Sequence, residues 1–122
     1  MVAGVSEKEE AIIKEILQPF TNVYAFYFYG SRVKGNYSKI SDLDILIKGT
    51  REMPIDIISN LKQQFDESLL PYIVNFSDYN QVDESFYNSI KKDLVSVFRL
   101  IFLKLRLSPN RSFIITAIIF LH

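Results

Sequence analysis

The sequence contains no cysteine and no tryptophan, and its single histidine is His122 at the C-terminal end. The absence of cysteine excludes disulfides and zinc sites built from thiolates. A lone terminal histidine also excludes His-rich metal sites, and we expect no histidine general base. The metal ligands and catalytic bases of this chain are therefore expected to be carboxylates, amides or water.

Neither sign of charge is in excess over the 122 residues, but the charges are unevenly distributed. Residues 1–93 hold 10 basic and all 14 acidic side chains, a balance of −4, and residues 94–122 carry +4. Because a general nucleic-acid binder needs a basic face, we expect no nucleic-acid partner. The first ten residues lack the basic segment and apolar run of a signal peptide, so a cytoplasmic location is the default expectation.

The order of the predicted elements is that of a small α/β domain. A capping box at Ser6, followed by apolar residues at helical spacing, predicts the first helix. Further helices are predicted over residues 54–69 and after Asp83, with a short helix or turn over 31–36. Strands are predicted over 23–29, 42–48, 72–78 and 95–98. We therefore expect an α/β (α+β) fold, a small mixed sheet with flanking helices, in residues 1–98.

The C-terminal tail, residues 99–122, differs from this domain. It contains no acidic residue and ends in the apolar run Phe113 to Leu121. A bilayer span takes about 20 residues, so no membrane-spanning segment is predicted. Three alternatives remain open: a strand or helix that packs on the core, a disordered or aggregation-prone extension such as a shifted reading frame produces, and a tail that associates with a membrane surface.

A candidate phosphate site follows the first predicted strand. Gly30 allows the backbone to approach a ligand closely, and free N–H groups at the start of the following helical turn attract anions. Ser31 adds a hydroxyl donor, and Arg32 and Lys34 add positive charge nearby. A Gly-Ser pair after a strand is common in ordinary turns, so this pattern alone is a weak indication.

A candidate metal site lies on the second predicted strand. Asp42 and Asp44 are two residues apart, so both carboxylates leave the same face. Two like charges side by side are costly unless a cation offsets them, and Mg²⁺ prefers one or two carboxylates together with water and phosphate oxygens. The alternative is that Asp42 caps a turn and Asp44 is solvated at a sheet edge.

Taken together, these residues resemble the minimal nucleotidyltransferases of the DNA polymerase beta superfamily. The pattern is Gly-Ser-x-x-x-Gly and then Ser-Asp-x-Asp on a second strand, matched here by Gly30, Ser31, Arg32, Gly35, Ser41, Asp42 and Asp44. The resemblance continues less sharply over residues 7–98 and does not cover the C-terminal tail.

The resemblance implies a Mg²⁺-dependent enzyme that transfers a nucleoside monophosphate, AMP from ATP, to a hydroxyl. Asp42 and Asp44 would be the catalytic metal ligands, and Gly30 and Ser31 would bind the outer phosphates. Arg32 would either steady the developing charge or be an ordinary solvated side chain. The resemblance further implies an antitoxin that adenylylates a partner toxin of the HEPN type.

One position departs from the family pattern. Aligned on Leu70-Pro71, the third carboxylate of the family is replaced by Asn75, which brings no charge and accepts no proton. Asp78 could take its place only if a bulge turned it to the same face. Two functions therefore remain open: an active nucleotidyltransferase, or a catalytically degenerate module that neutralises a partner by contact. A third alternative is transfer to a small molecule such as an aminoglycoside, although such an acceptor would ordinarily need an additional domain.

Overall fold

In the computed structural model of the protein, residues 2–98, 100–106 and 114–120 are described. The helices are α1 (Glu7–Leu17), α2 (Ser31–Lys34), α3 (Ile55–Asp66) and α4 (Glu84–Ile90), with 3₁₀ turns at Gln18–Phe20 and Lys91–Asp93. The strands are β1 (Ala25–Tyr29), β2 (Leu43–Lys48), β3 (Val74–Asp78), β4 (Val95–Ser96), β5 (Leu100–Arg106) and β6 (Ile114–Phe120).

The first four strands form one mixed sheet in the order β3-β2-β1-β4. The pairs β1–β2 and β1–β4 are antiparallel, whereas β2 and β3 are parallel because α3 connects them as a crossover. This sheet with its helices confirms the predicted α/β fold. None of the helices in the described ranges is long and apolar enough to cross a membrane.

The two faces of the sheet are covered by different helices. One face packs on α1 and α3, and its core includes Phe26, Phe28, Leu43, Ile45, Ile47, Ile13, Leu17, Leu61 and Phe65. On the other face, Phe86 of α4 meets the Tyr29 ring edge-on at 6.0 Å, and Leu46 is fully buried. Because Asp42 and Asn75 on this second face are exposed, α4 leaves the Asp44 end of the sheet open to solvent.

The helix ends follow the predicted capping chemistry. Ser6 Oγ accepts a hydrogen bond from the Glu9 N–H at 3.2 Å, and the Glu9 carboxylate accepts one from the Ser6 N–H at 3.0 Å. Asp83 accepts the N–H of Phe86 at 2.8 Å at the start of α4. The strands are shorter than predicted. For example, β1 begins at residue 25 because the Tyr24 N–H bonds to the preceding 3₁₀ turn instead.

Asp78 lies on the core face, opposite to Asn75. The pairing of β2 with β3 runs without a bulge from Leu43↔Val74 to Ile47↔Asp78, so the three-residue offset reverses the face. The Asp78 carboxylate is buried and accepts the N–H groups of Met53 at 2.6 Å and Asn80 at 2.9 Å. The alternative in which a bulge brings Asp78 to the site is therefore wrong.

The C-terminal tail contains a separate two-stranded sheet. Strands β5 and β6 pair antiparallel, from Leu100↔Phe120 to Arg106↔Ile114. Residues 99, 107–113 and 121–122 lie outside the described residues. The boundary after residue 98 stays a prediction, as do the three alternatives for how the tail behaves.

We expect Asp78→Ala to destabilise the fold without affecting cation binding. The substitution leaves the buried Met53 N–H without its acceptor, which costs about 1–3 kcal/mol of unfolding free energy. Urea denaturation measures this loss. A parallel titration with Mn²⁺ should give the wild-type affinity, and a lost cation site would contradict the structural role of Asp78.

Candidate active site

The ends of three neighbouring strands bring the predicted site residues together. Tyr29, which precedes Gly30, pairs with Asp44 across the antiparallel ladder, and Asp44 pairs with Asn75 across the parallel one. The Asn75 Nδ2 donates a hydrogen bond to Asp42 Oδ2 at 2.8 Å. Two carboxylates, one amide and the Gly30-Ser31 turn therefore share one open edge of the sheet.

The electrostatics of this cluster disfavour the charged form of Asp44. Burial raises the pKa of the Asp44 carboxyl, hydrogen bonding from Asn75 opposes that rise, and the nearby Asp42 charge adds to it. The charged form of Asp44 is thus only partly compensated by the protein itself. A divalent cation between the two carboxylates would supply the missing compensation.

Gly30 is required here by both conformation and space. Its φ of 88° and ψ of −164° lie in a region that is essentially restricted to glycine. A Cβ at this position would also overlap the Asp44 Oδ2 atom. Gly30 therefore lets the backbone turn into α2 directly against a site carboxylate, and Ser31 begins that helix as predicted.

The donor set fits a hard divalent cation with few protein ligands. In the part of the chain that the structure describes, no three His, Cys, Asp or Glu side chains are grouped so that they could hold a metal ion. The cluster instead offers two carboxylates and one amide, which suits an ion such as Mg²⁺ that keeps water and phosphate oxygens in its shell. The Asn75 NH₂ group donates a hydrogen bond to Asp42 and so partly offsets the negative charge of that carboxylate.

Arg32 differs from both interpretations of the sequence. Its side chain is only 3% exposed, so the solvated alternative is wrong. The guanidinium donates to four backbone carbonyls, those of Gly4, Ser38, Lys39 and Ser41. This geometry commits its donors to the protein rather than to a phosphate.

Two residues of the site were not singled out from the sequence. The hydroxyls of Tyr29 and Ser77 lie 2.8 Å apart beside Asp44. Burial raises the pKa of Tyr29, which the Ser77 bond opposes and the Asp44 charge reinforces, so the phenol stays protonated at neutral pH. The available signal was alternation: Tyr29 and Ser77 share a face with Asp44 and Asn75.

A cavity of about 510 Å³ lies elsewhere, towards the other end of β1 and β2. It is lined by residues that include Tyr24, Phe26, Lys48 and Phe98. None of the predicted site residues lines it. We therefore assign the candidate chemistry to the strand ends where Asp42, Asp44 and Asn75 meet, and not to this cavity.

We expect Gly30→Ala and Gly35→Ala to destabilise the fold similarly, and only Gly30→Ala to weaken cation binding. Both glycines have φ near 90°, so each substitution should cost about 1–3 kcal/mol of unfolding free energy. Only Gly30→Ala places a methyl group on Asp44, because nothing lies within 4 Å of a Cβ at Gly35. Mn²⁺ titration should show weakened binding in Gly30→Ala alone, and equal affinities in the two variants would contradict this assignment.

Comparison with known proteins agrees with this geometry. The family described as Polymerase beta, Nucleotidyltransferase matches residues 11–99, which include both strands of the carboxylate cluster. A Haemophilus influenzae protein named Probable protein adenylyltransferase MntA is 39% identical over 95 residues, covering 76% of this chain and 82% of that protein. The chain therefore belongs to the polymerase beta nucleotidyltransferase family, as a minimal nucleotidyltransferase.

Proposed function

We propose that the protein transfers AMP from ATP to a hydroxyl of a protein partner and requires Mg²⁺. The observation that carries the proposal is the cluster of Asp42, Asp44 and Asn75 beside the Gly30-Ser31 turn. Nucleotidyltransferases of this kind generally use ATP and a divalent metal, and the two carboxylates of this cluster fit that use.

Each residue of the cluster has a defined part in the proposal. The Ser31 hydroxyl and the backbone N–H groups that begin α2 hold the outer phosphates. Asp42 and Asp44 hold Mg²⁺, which when bound supplies charge neutralisation at the triphosphate. The acceptor oxygen bonds to the α-phosphorus while the bond to pyrophosphate breaks, and the hydroxyl proton leaves to solvent. Gly30 keeps the Asp44 carboxylate close to the phosphate turn.

Exposed apolar side chains beside the cluster support a protein acceptor. Ile40, two residues before Asp42, is 83% exposed, and Ile73, two residues before Asn75, is 60% exposed. The Leu43 N–H bonds to the Ile73 carbonyl at 2.8 Å, which keeps Ile73 next to the start of β2. An apolar flank of this kind suits a polypeptide better than a polar sugar. The name of the relative from Haemophilus influenzae, Probable protein adenylyltransferase MntA, also refers to protein adenylylation.

For the partner, we propose a toxin of the HEPN type, with this protein as its antitoxin. The family resemblance of residues 29–46 supports this choice. Adenylylation would add a bulky, charged group to an acceptor hydroxyl and so block the toxin chemically. Because ATP is the donor, we place the reaction in the cytoplasm.

We expect Asp42→Asn and Asp44→Asn each to lower AMP transfer by at least about 100-fold, since a catalytic metal ion supplies several kcal/mol of charge stabilisation. The measurement is label transfer from α-³²P ATP to a co-purified HEPN-type protein in the presence of Mg²⁺. Asp66→Asn, at the exposed end of α3, is the matched control and should retain wild-type transfer. Full transfer by either site variant would refute the proposed roles.

A second candidate function, neutralisation of a partner by contact alone, is favoured by one observation. The Asn75 NH₂ group donates a hydrogen bond to Asp42, and the alignment on Leu70-Pro71 predicts that Asn75 stands where the family has its third carboxylate. Two carboxylates can anchor one cation strongly but leave a second cation with fewer ligands. Under this function the wild-type chain binds the partner without AMP transfer, and Asn75→Asp creates the transfer.

We expect Asn75→Asp to make folding stability depend strongly on divalent cations. The change removes the hydrogen-bond donor to Asp42 and adds a third negative charge, so the melting temperature in EDTA should fall. Millimolar Mg²⁺ should raise it again by more than it raises that of Asn75→Ala, which loses the donor but gains no charge. Equal Mg²⁺ responses in the two variants would show that position 75 does not face the cation.

A further inference from the structure

Arg32 is buried among backbone carbonyls that belong to two distant segments of the chain. Its Nε donates to Ser41 at 2.7 Å, and its Nη2 donates to Lys39 at 2.8 Å and Ser38 at 3.3 Å. Its Nη1 donates to Gly4 at 2.6 Å. One guanidinium thus ties α2 to the segment immediately before Asp42 and to the segment before α1.

Aromatic rings enclose the same guanidinium. The Tyr72 ring lies 3.8 Å from its central carbon and the Tyr37 ring 5.2 Å, both within cation–π range. Tyr72 donates from its hydroxyl to Glu9 at 3.0 Å, and Tyr37 donates to the Ala3 carbonyl at 2.9 Å. Tyr72 also stands just before β3, the strand that carries Asn75. Arg32 and the rings around it therefore contact the segments that lead into both β2 and β3, the strands on or next to which Asp42, Asp44 and Asn75 lie.

The segment before Asp42 has a particular need for such a donor. Residues 36–42 form neither helix nor strand, so their carbonyls have no ladder partners. Three of these carbonyls converge on Arg32, and the Ser38 N–H bonds to Ser41 Oγ at 2.8 Å within the same segment. Asp42 itself is exposed, so the path of this segment and the Asn75 hydrogen bond together determine where its carboxylate stands relative to Asp44.

We propose that Arg32 is a positioning residue that fixes the Asp42 carboxylate for cation binding and does not contact the nucleotide. The proposal rests on the proposed function, because it assumes that Asp42 and Asp44 share a cation. Position 32 then requires arginine, because the planar guanidinium donates in several directions at once. A lysine ammonium provides the same charge from a single point and cannot reach carbonyls on both segments at once.

Gly4 lies so close to Arg32 that a substitution at Gly4 tests the same contact without changing Arg32 itself. Its N–H bonds to the Arg32 carbonyl at 3.1 Å while its own carbonyl accepts from the Arg32 side chain. A Cβ on Gly4 would stand 2.7 Å from the Arg32 Cβ and 2.7 Å from the Arg32 carbonyl oxygen. Gly4→Ala should therefore displace the N-terminal segment from Arg32 without changing any charge.

The test compares Mn²⁺·ATP affinity, measured by electron paramagnetic resonance of free Mn²⁺, with the melting temperature of each full-length variant. Because residues that orient metal ligands typically contribute 10- to 100-fold to affinity, Arg32→Lys should weaken Mn²⁺·ATP binding by about that factor. Gly4→Ala should weaken it in the same direction. Lys62→Met removes a positive charge from an exposed position on α3, which packs on the opposite face of the sheet, and its affinity should stay within about twofold of wild type.

Leu61→Ala is the control for a loss of affinity that follows only from lower stability. It leaves a cavity at a fully buried core position on α3. It should lower the melting temperature yet keep the wild-type Mn²⁺·ATP affinity. Unchanged affinity in both Arg32→Lys and Gly4→Ala, or an equal loss in Leu61→Ala, would overturn the inference. If Arg32→Lys does not fold, Gly4→Ala decides. Absence of Mn²⁺·ATP binding in the wild-type chain would overturn the proposed function and this inference with it.

Discussion

Burial of the Asp44 carboxylate beside the negative charge of Asp42 is the constraint that shapes this site. The two carboxylates leave one face of the sheet at the start of β2, and burial of Asp44 makes its charge more costly. The protein offsets this cost only in part, through the Asn75 amide. A cation, and the phosphates that it would bring with it, would supply the positive charge that this site lacks under the proposed function.

The sheet order serves this arrangement. Placing β2 between β1 and β3 brings the Gly30 turn to one side of Asp44 and Asn75 to the other. The apolar side chains of β2 anchor the strand from the opposite face, while Phe86 of α4 packs on Tyr29 of the functional face and leaves Asp42 and Asn75 exposed. The carboxylates are thus held by a rigid core although one of them is exposed.

Local patterns in the sequence were sufficient to predict much of this structure. Alternation along β2 predicted which face carries Asp44, and the Ser6 and Asp83 caps predicted where two helices begin. The strand ends were less predictable, because turns such as the one at Tyr24 compete with the ladder for backbone groups. The burial of Arg32 depends on a segment 28 residues away, and no local pattern reports such a contact. Its sequence signal was indirect: an irregular segment whose carbonyls needed a donor.

We propose that Asp42 and Asp44 would together hold one cation and that the nucleotide would lie against the Gly30-Ser31 turn. A crystal structure with Mn²⁺ and a non-hydrolysable ATP analogue addresses it most directly, since the anomalous signal locates the ion independently of the nucleotide density. We expect an anomalous peak at coordinating distance from both carboxylates, with the triphosphate along the start of α2. A peak elsewhere, or a nucleotide in the cavity lined by Tyr24 and Phe98, would contradict the claim.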